Sequence, residues 1–91
     1  METRVLNYRI IIEPEKYSDG KLVYNAHCPS LGIADYADSV EEVLESIRDG
    51  IILAIESMAK EGLEIPKDNI DEQIVTSTKV SVPKNLGANF A

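Results

Sequence analysis

The residues best suited to chemistry lie within one stretch, AHCPSLGIADYADSVEEV at positions 26–43. It contains the single histidine and the single cysteine of the chain, His27 and Cys28, followed by Asp35 and Asp38. A histidine beside a cysteine could supply a base and a nucleophile. Carboxylates from a strand end and a helix start could bind a hard divalent cation. Whether either site forms depends on the elements that carry these residues.

The stretch KLVYNAHC predicts a strand that separates His27 from Cys28. Successive side chains in a strand point to opposite faces of the sheet. Cys28 shares its parity with Leu22 and Ala26, whereas His27 shares the more polar parity with Asn25. We therefore expect Cys28 to be buried and inert and His27 to be exposed or hydrogen-bonded, and no catalytic residue is predicted.

Three further stretches have the pattern of strands. Alternation in RVLNYRIIIE predicts a first strand over residues 4–13, which Pro14 ends. Asp-Gly at 19–20 predicts the hairpin turn into the second strand. The short run at 33–37 predicts a third strand beside the second, and the β-branched run QIVTSTKVSV at 73–82 predicts a last strand.

The longest predicted element is a helix over about residues 39–61. Its apolar residues recur along one stripe at about 100° per residue; they are Val40, Val43, Leu44, Ile47, Ile51, Ala54, Ile55 and Met58. Gly50 beside this stripe indicates close packing on the sheet, and Gly62 stands where a left-handed C-cap is expected. The N-terminal capping box has two candidates, Asp38 with Glu41 and Ser39 with Glu42.

This order predicts a β-β-β-α-β chain of the α+β class, with one long helix packed on a mostly antiparallel sheet. We expect one domain over residues 1–83 and a C-terminal tail over 84–91. A chain of ninety-one residues with 44% hydrophobic content buries only a modest fraction of its surface when it folds alone. We therefore expect it to bury more surface by self-association.

The net charge and the cysteine content disfavour several classes of function. Sixteen acidic and nine basic residues give a net charge of -7, which disfavours direct nucleic acid binding and suits a basic partner or plain solubility. One cysteine excludes an internal disulfide and a usual zinc set. No signal peptide or membrane span is recognisable, so a cytoplasmic protein without a membrane partner or a cofactor is expected.

The sequence leaves two functions open, a partner-binding surface and a metal-dependent enzyme. The helix places Ile52 and Leu53 among acids on its outer half, which is typical of a contact surface unless Leu86 and Phe90 of the tail cover them. The predicted partner-binding residues are His27, Asp35, Tyr36, Glu41, Glu45, Asp49, Ile52, Leu53 and Glu56. The alternative function is a metal-dependent hydrolase or nuclease around Asp35, Asp38 and His27. No metal ligand is assigned, because capping and helix-dipole roles account for the other acids.

The order YNAHCPSLG followed by ADSVEEVLESIRDGIILAIESMAKEGLEIP resembles the HicB-like antitoxin family. The matching residues are Tyr24, Ala26, Pro29, Leu31, Asp38, Ser39, Glu41, Glu42, Gly62 and Pro66. The resemblance implies a truncated ribonuclease-H-like fold with the last strand parallel to the first, and self-association as a dimer or tetramer. It also implies neutralisation of a small basic HicA-type toxin that cleaves messenger RNA. Only KNLGANFA follows the last predicted strand, so the likeness is to the N-terminal type of domain without a DNA-binding module.

Overall fold

A three-stranded sheet followed by one long helix is the architecture of the computed structural model, which describes residues 3–91 apart from the side chain of residue 71. The elements are β1 (Ile11–Lys16), β2 (Leu22–Cys28), β3 (Ile33–Ala37), α1 (Val40–Lys60) and a 3-10 turn (Ile70–Glu72). The sheet is antiparallel with the order β1-β2-β3. The predicted α+β class, with one helix after three antiparallel strands, is confirmed.

Two glycines make the turns between the strands. Gly20 has a φ of 88° and its amide donates to the carbonyl of Tyr17 at 2.9 Å, which closes the β1–β2 hairpin as predicted. Gly32 has a φ of 67° and its amide donates to the carbonyl of Cys28 at 2.9 Å, which turns the chain from β2 into β3. Both positions require the left-handed conformation that glycine adopts without strain.

The first strand differs from its prediction. It begins at Ile11, not at residue 4, and it continues through Pro14 to Lys16. Pro14 faces Tyr24 in the pairing with β2. Proline is tolerated in β1 because β1 is an edge strand. The backbone N–H groups of an edge strand that point to solvent make no hydrogen bond with another strand, so proline can replace a residue at such a position.

The core forms where α1 packs on β2 and β3. Its buried members are Ala26, Cys28, Val43, Ile47 and Ile51. Cys28 is completely buried, as its parity predicts. The helix stripe is confirmed along its middle, but Val40, the first residue of the helix, is 40% exposed.

The helix ends are held by capping. Ser39 is the N-cap, and its Oγ accepts the amide of Glu42 at 3.1 Å, so the second of the two capping candidates forms. At the other end Gly62 has a φ of 70° and its amide donates to the carbonyl of Ala59 at 3.1 Å. These bonds satisfy groups that a helix end leaves without an intrahelical partner.

Val23 is an exception to the alternation of buried and exposed side chains along β2. It belongs to the side of β2 opposite the helix, yet it is only 2% exposed. β2 is the central strand, and Val23 is paired with Glu15 of β1. The pairing of β2 with β3 begins only at Tyr24, so β1 is the strand neighbour of Val23.

The predicted last strand does not form. Residues 73–82 carry no strand, and Ile74 and Val75 are both 85% exposed. The parallel pairing with the first strand, which the family resemblance implies, is therefore missing from the single chain. An isolated extended segment has no partner for its backbone amides and carbonyls, so β-branched composition alone does not make it a strand. Within residues 3–91, no helix is long and apolar enough to cross a membrane.

Candidate interaction surface on the outer helix face

One face of α1 points away from the sheet and combines acids with apolar side chains. We call it the outer helix face, and its members are Glu41, Glu45, Asp49, Ile52, Leu53 and Glu56. Helical spacing places all six within an arc of about 120°. All are exposed, whereas Val43, Ile47 and Ile51 on the opposite side are buried. Packing of one side on the sheet thus presents the other side to solvent.

The carboxylates of this face are not neutralised by neighbouring cations. The one ion pair found within residues 3–91 joins Lys21 Nζ to Asp38 Oδ1 at 3.6 Å, outside the face. Arg48 is the sole basic residue between positions 41 and 56. It lines the groove on the flank of the helix. The outer helix face therefore carries a local negative potential in addition to the net charge of the chain.

Two large apolar residues of the face lack a cover. Ile52 is 49% exposed and Leu53 is 66% exposed. The alternative in which the C-terminal tail covers them is not what the structure shows, because Leu86 and Phe90 are themselves 57% and 75% exposed. Ile52 and Leu53 are therefore available to another molecule.

Asp35 joins this surface from the sheet. It lies on β3, and its Oδ2 accepts a short hydrogen bond from Ser46 Oγ of the helix. Its Oδ1 accepts the amide of Tyr36 at 2.8 Å. The hydrogen bond from the Ser46 hydroxyl is the main cause of a lowered pKa of Asp35, and the bond from the Tyr36 amide adds to it. Both bonds stabilise the charged form of the carboxyl group. Beside it runs a shallow acidic cleft of about 260 Å³, lined by Glu42, Glu45, Ser46 and Asp49.

The structure divides the predicted partner-binding residues between two surfaces. His27 is paired with Ala34, and Tyr36 is paired with Asn25. These positions alternate with the buried Ala26 and with Asp35, so His27 and Tyr36 lie on the sheet face opposite the helix. Both are exposed. They are not part of the surface that Asp35 and the outer helix face form together.

The residues of the alternative hydrolase site do not converge. Asp38 is paired with Lys21, Asp35 is bonded to Ser46, and His27 lies on the other side of the sheet. Within the described part of the chain, no three histidine, cysteine or acidic side chains lie close enough together to hold a metal. His27 and Cys28 likewise point to opposite faces, as predicted.

Sequence reasoning missed one feature. A groove of about 810 Å³ lies between residues 3–10 and the flank of α1. The helix contributes apolar residues to it, among them Ile51, Ile52 and Ile55. The alternation of apolar and polar residues near the N-terminus predicts a strand with one buried face. It does not show that these residues line a groove. Because β1 begins only at Ile11, the groove remains open.

These features define a small α+β domain with an acidic, partly apolar helix face. No family model matches the chain, and no solved structure matches it. Over 68 residues it is 35% identical to UPF0150 protein ssr1765 of Synechocystis sp., which covers 74% of this chain and 81% of that protein. The chain belongs to the UPF0150 family.

Proposed function

We propose that this UPF0150 protein is a HicB-like antitoxin that neutralises a small basic toxin of the HicA type in the cytoplasm. It does so by masking the toxin surface that binds and cleaves messenger RNA. The observation that carries the proposal is the outer helix face, where unpaired carboxylates surround exposed Ile52 and Leu53. The order of motifs that resembles the HicB-like family supports the same conclusion.

Charge and apolar contact have separate parts in this binding. A ribonuclease must present cations to the phosphates of its substrate, so its RNA-binding surface attracts acidic partners. Complementary charge chiefly raises the association rate and excludes wrong partners. Leu53 and Ile52 supply the apolar contact that becomes desolvated at the centre of an interface and slows dissociation. The protein therefore acts by binding and not by making or breaking bonds.

Co-expression tests the proposal directly. The small basic protein encoded beside this one should arrest growth when expressed alone, and the wild-type chain should relieve the arrest. The double substitution Glu45→Lys with Asp49→Lys should abolish relief, because like charges then oppose each other at the interface. The matched control is Glu64→Lys, which makes the same charge reversal at an exposed position outside the face.

Binding and inhibition can be measured quantitatively with purified proteins. We expect the double variant to weaken binding of the toxin by at least about tenfold and to lose inhibition of messenger RNA cleavage in the same proportion. The Glu64→Lys control should match the wild type in both measurements. The antitoxin role is rejected if the neighbouring protein neither arrests growth nor binds the wild-type chain.

A further inference from the structure

The two outer edges of the sheet differ in how they are protected. Within the described residues β1 and β3 each pair with β2 alone, so the far side of each strand is unpaired. β1 carries Pro14 together with Glu13, Glu15 and Lys16, and proline and charged side chains keep an edge strand from adding another strand. β3 has the sequence IADYA, without a proline or a lysine. The edge of β3 is therefore the better acceptor for a further strand.

The pairing of the strands shows which backbone groups lie on the free edge of β3. Residue pairs in an antiparallel ladder alternate between those that exchange hydrogen bonds and those that do not. The bond from the Tyr17 amide to the carbonyl four residues on, at 2.7 Å, sets this alternation for β1 and β2. It directs the backbone groups of Tyr24 towards Ala37 of β3. Ala34 and Tyr36, at odd steps from Ala37, therefore point their N–H and C=O groups away from the sheet.

A side-chain hydrogen bond supports this direction independently. The Tyr36 amide donates to Asp35 Oδ1 at 2.8 Å, so it is not engaged with β2. Ala34 and Tyr36 are both exposed, and within the described residues neither takes part in a backbone bond of a turn or loop. The N–H of Ala34 and the carbonyls of both residues are thus available to a new strand.

Acidic side chains line the helix side of this edge. Asp35 lies between the two outward-pointing residues, so its side chain faces the helix, where it accepts the hydrogen bond from Ser46. Besides Ser46, the shallow cleft of about 260 Å³ is lined by Glu42, Glu45 and Asp49. A strand beside β3 directs every second side chain to this side of the sheet. Those side chains meet carboxylates, so they are best matched by lysine or arginine.

The other face of the same edge has a different character. Tyr36 is 66% exposed there, and Ala34 is small and exposed. The remaining side chains of an added strand lie beside Tyr36, whose ring offers an apolar surface. The edge therefore matches a segment in which basic and apolar residues alternate.

We propose that the free edge of β3 binds an extended basic segment of a partner protein, which adds to the sheet as one more strand. Backbone hydrogen bonds to Ala34 and Tyr36 hold the segment, and its alternate side chains give selectivity. A second copy of this chain is a poor occupant, because its net charge of -7 is repelled by the same acids. The binding mode holds for any basic partner and does not depend on the antitoxin function.

A short peptide of alternating lysine and valine with blocked ends is the probe. Titrated into the ¹⁵N-labelled full-length chain, it should give saturable shifts of the Ala34 and Tyr36 amides, with a dissociation constant below about 1 mM. Intermolecular NOEs between its backbone and β3 should show the added strand. A peptide with glutamate in place of lysine should not bind, because its carboxylates oppose those of the cleft.

A proline variant separates backbone pairing from attraction between charges. Ala34→Pro removes an outward N–H and leaves the hydrogen bonds with β2 in place, so it should weaken binding of the lysine peptide by about tenfold or more. The matched control Ala34→Val keeps the amide and should bind as the wild type does. On the wild-type chain, N-methylation of the peptide amides that face β3 should abolish binding, and methylation of the alternate amides should not.

The last comparison needs no change in the protein, so it decides the question even if the proline variant does not fold. Absence of saturable binding overturns the proposal, and so does equal binding of the lysine and glutamate peptides. Equal loss of binding with both methylated peptides, or shifts confined to the outer helix face, shows that charge alone attracts the peptide and also overturns it. Intermolecular NOEs at Ala34 without peptide assign the edge to a second copy and reject a basic segment as its occupant.

Discussion

Asp35 is the acidic residue that the fold holds most firmly at the candidate surface. Strand alternation directs it to the helix side of β3, where it accepts hydrogen bonds from Ser46 and from the amide of Tyr36. Both bonds favour its charged form and lower its pKa. A carboxylate that is fixed and ionised loses little freedom when a cationic partner approaches. The position therefore adds a carboxylate of fixed direction to a surface whose other acids are exposed.

Removing the Ser46 hydroxyl should raise the pKa of Asp35. In Ser46→Ala, an NMR titration of the Asp35 carboxyl is expected to move towards the ordinary value, with the Tyr36 amide retaining part of the shift. A group with a lowered pKa in the folded state adds stability above its unfolded pKa, and this stability is lost as pH falls through the folded pKa. The melting-temperature difference between wild type and variant should therefore shrink on acidification. Identical Asp35 titrations in the two proteins would contradict this account.

At the scale of the element, one glycine inside α1 and one just after its end have opposite requirements. Gly50 lies inside the helix, and a Cβ built there meets Ile33 Cγ2 at 3.6 Å, an ordinary contact distance. Gly62 lies past the helix end with a φ of 70°, where a side chain is strained even though the space is open. Close packing explains Gly50 only weakly, whereas backbone conformation explains Gly62 fully.

The same substitution should have opposite effects at these two positions. Gly50→Ala is expected to raise the free energy of unfolding by up to about 1 kcal/mol, because alanine has the higher helix propensity. Gly62→Ala should lower it by about 1–2 kcal/mol, because an L-residue is forced into the left-handed region. Chemical denaturation measures both. A destabilised Gly50→Ala protein would show that the contact with Ile33 is tighter than an ordinary one.

The acids of the outer helix face are spaced in a way that costs stability. Glu41, Glu45 and Asp49 follow each other at intervals of four, so two like-charge pairs lie along the helix. Such pairs destabilise a helix by about 0.2–0.5 kcal/mol each. This arrangement is what a surface needs when it must attract a basic partner, and it is not what stability alone would favour.

Glu45→Lys should therefore make the free protein more stable while weakening its binding to a basic partner. It replaces two repulsive pairs by two attractive ones, so a gain of about 1 kcal/mol is expected at low salt. The matched control is Glu56→Lys, which replaces a favourable spacing to Lys60 by a repulsive one and should reduce stability slightly. Thermal unfolding at low and high salt measures both effects. If both variants change the melting temperature by the same amount and in the same direction, the spacing of charges along the helix does not determine stability.

At the scale of the whole molecule, the net charge of -7 adds to the potential of the outer helix face. Exposed charges act over about 10 Å at 0.1 M ionic strength, so long-range attraction of a basic partner depends strongly on salt. The apolar contact of Leu53 and Ile52 depends on salt much less. The two contributions can therefore be separated by kinetics.

The association rate with the proposed basic partner should fall by about tenfold or more between low and high salt, and the dissociation rate should change little. Surface plasmon resonance across an ionic-strength series measures the two rates separately. Leu53→Ala should have the converse effect, with faster dissociation and an unchanged association rate. If salt changes mainly the dissociation rate, the acids of the outer helix face make direct contacts in the bound complex. They do not then act chiefly by attracting the partner from a distance.

Much of the fold could be predicted from local patterns. The bounds of β2, β3 and α1, the hairpin turn at Gly20 and the burial of Cys28 follow from alternation, helical periodicity and turn chemistry. The first strand was placed too early because alternation persists into residues 3–10, where no neighbouring strand is available. The last strand failed for the same reason, since a strand needs a partner edge that composition does not specify.

The candidate surface could be predicted only in part. Helical spacing was sufficient to place Glu45, Asp49 and Leu53 together, because their positions relative to one another are fixed by the helix itself. Spacing could not show that Asp35 meets Ser46 across the sheet–helix boundary, while His27 faces the other way in the folded chain. The groove beside residues 3–10 also depends on where β1 begins.

The sequence by itself determined the α+β class, the long capped helix, the buried cysteine and the acidic outer helix face, because each depends on periodicity and chemistry within one element. Only the tertiary structure decided which acids share a surface, that the three residues of the hydrolase alternative lie apart, and that residues 74–82 find no partner in their own chain. Those outcomes depend on how separate elements approach one another in space. Burial and strand pairing between distant residues settle that approach, and neither is visible in local pattern.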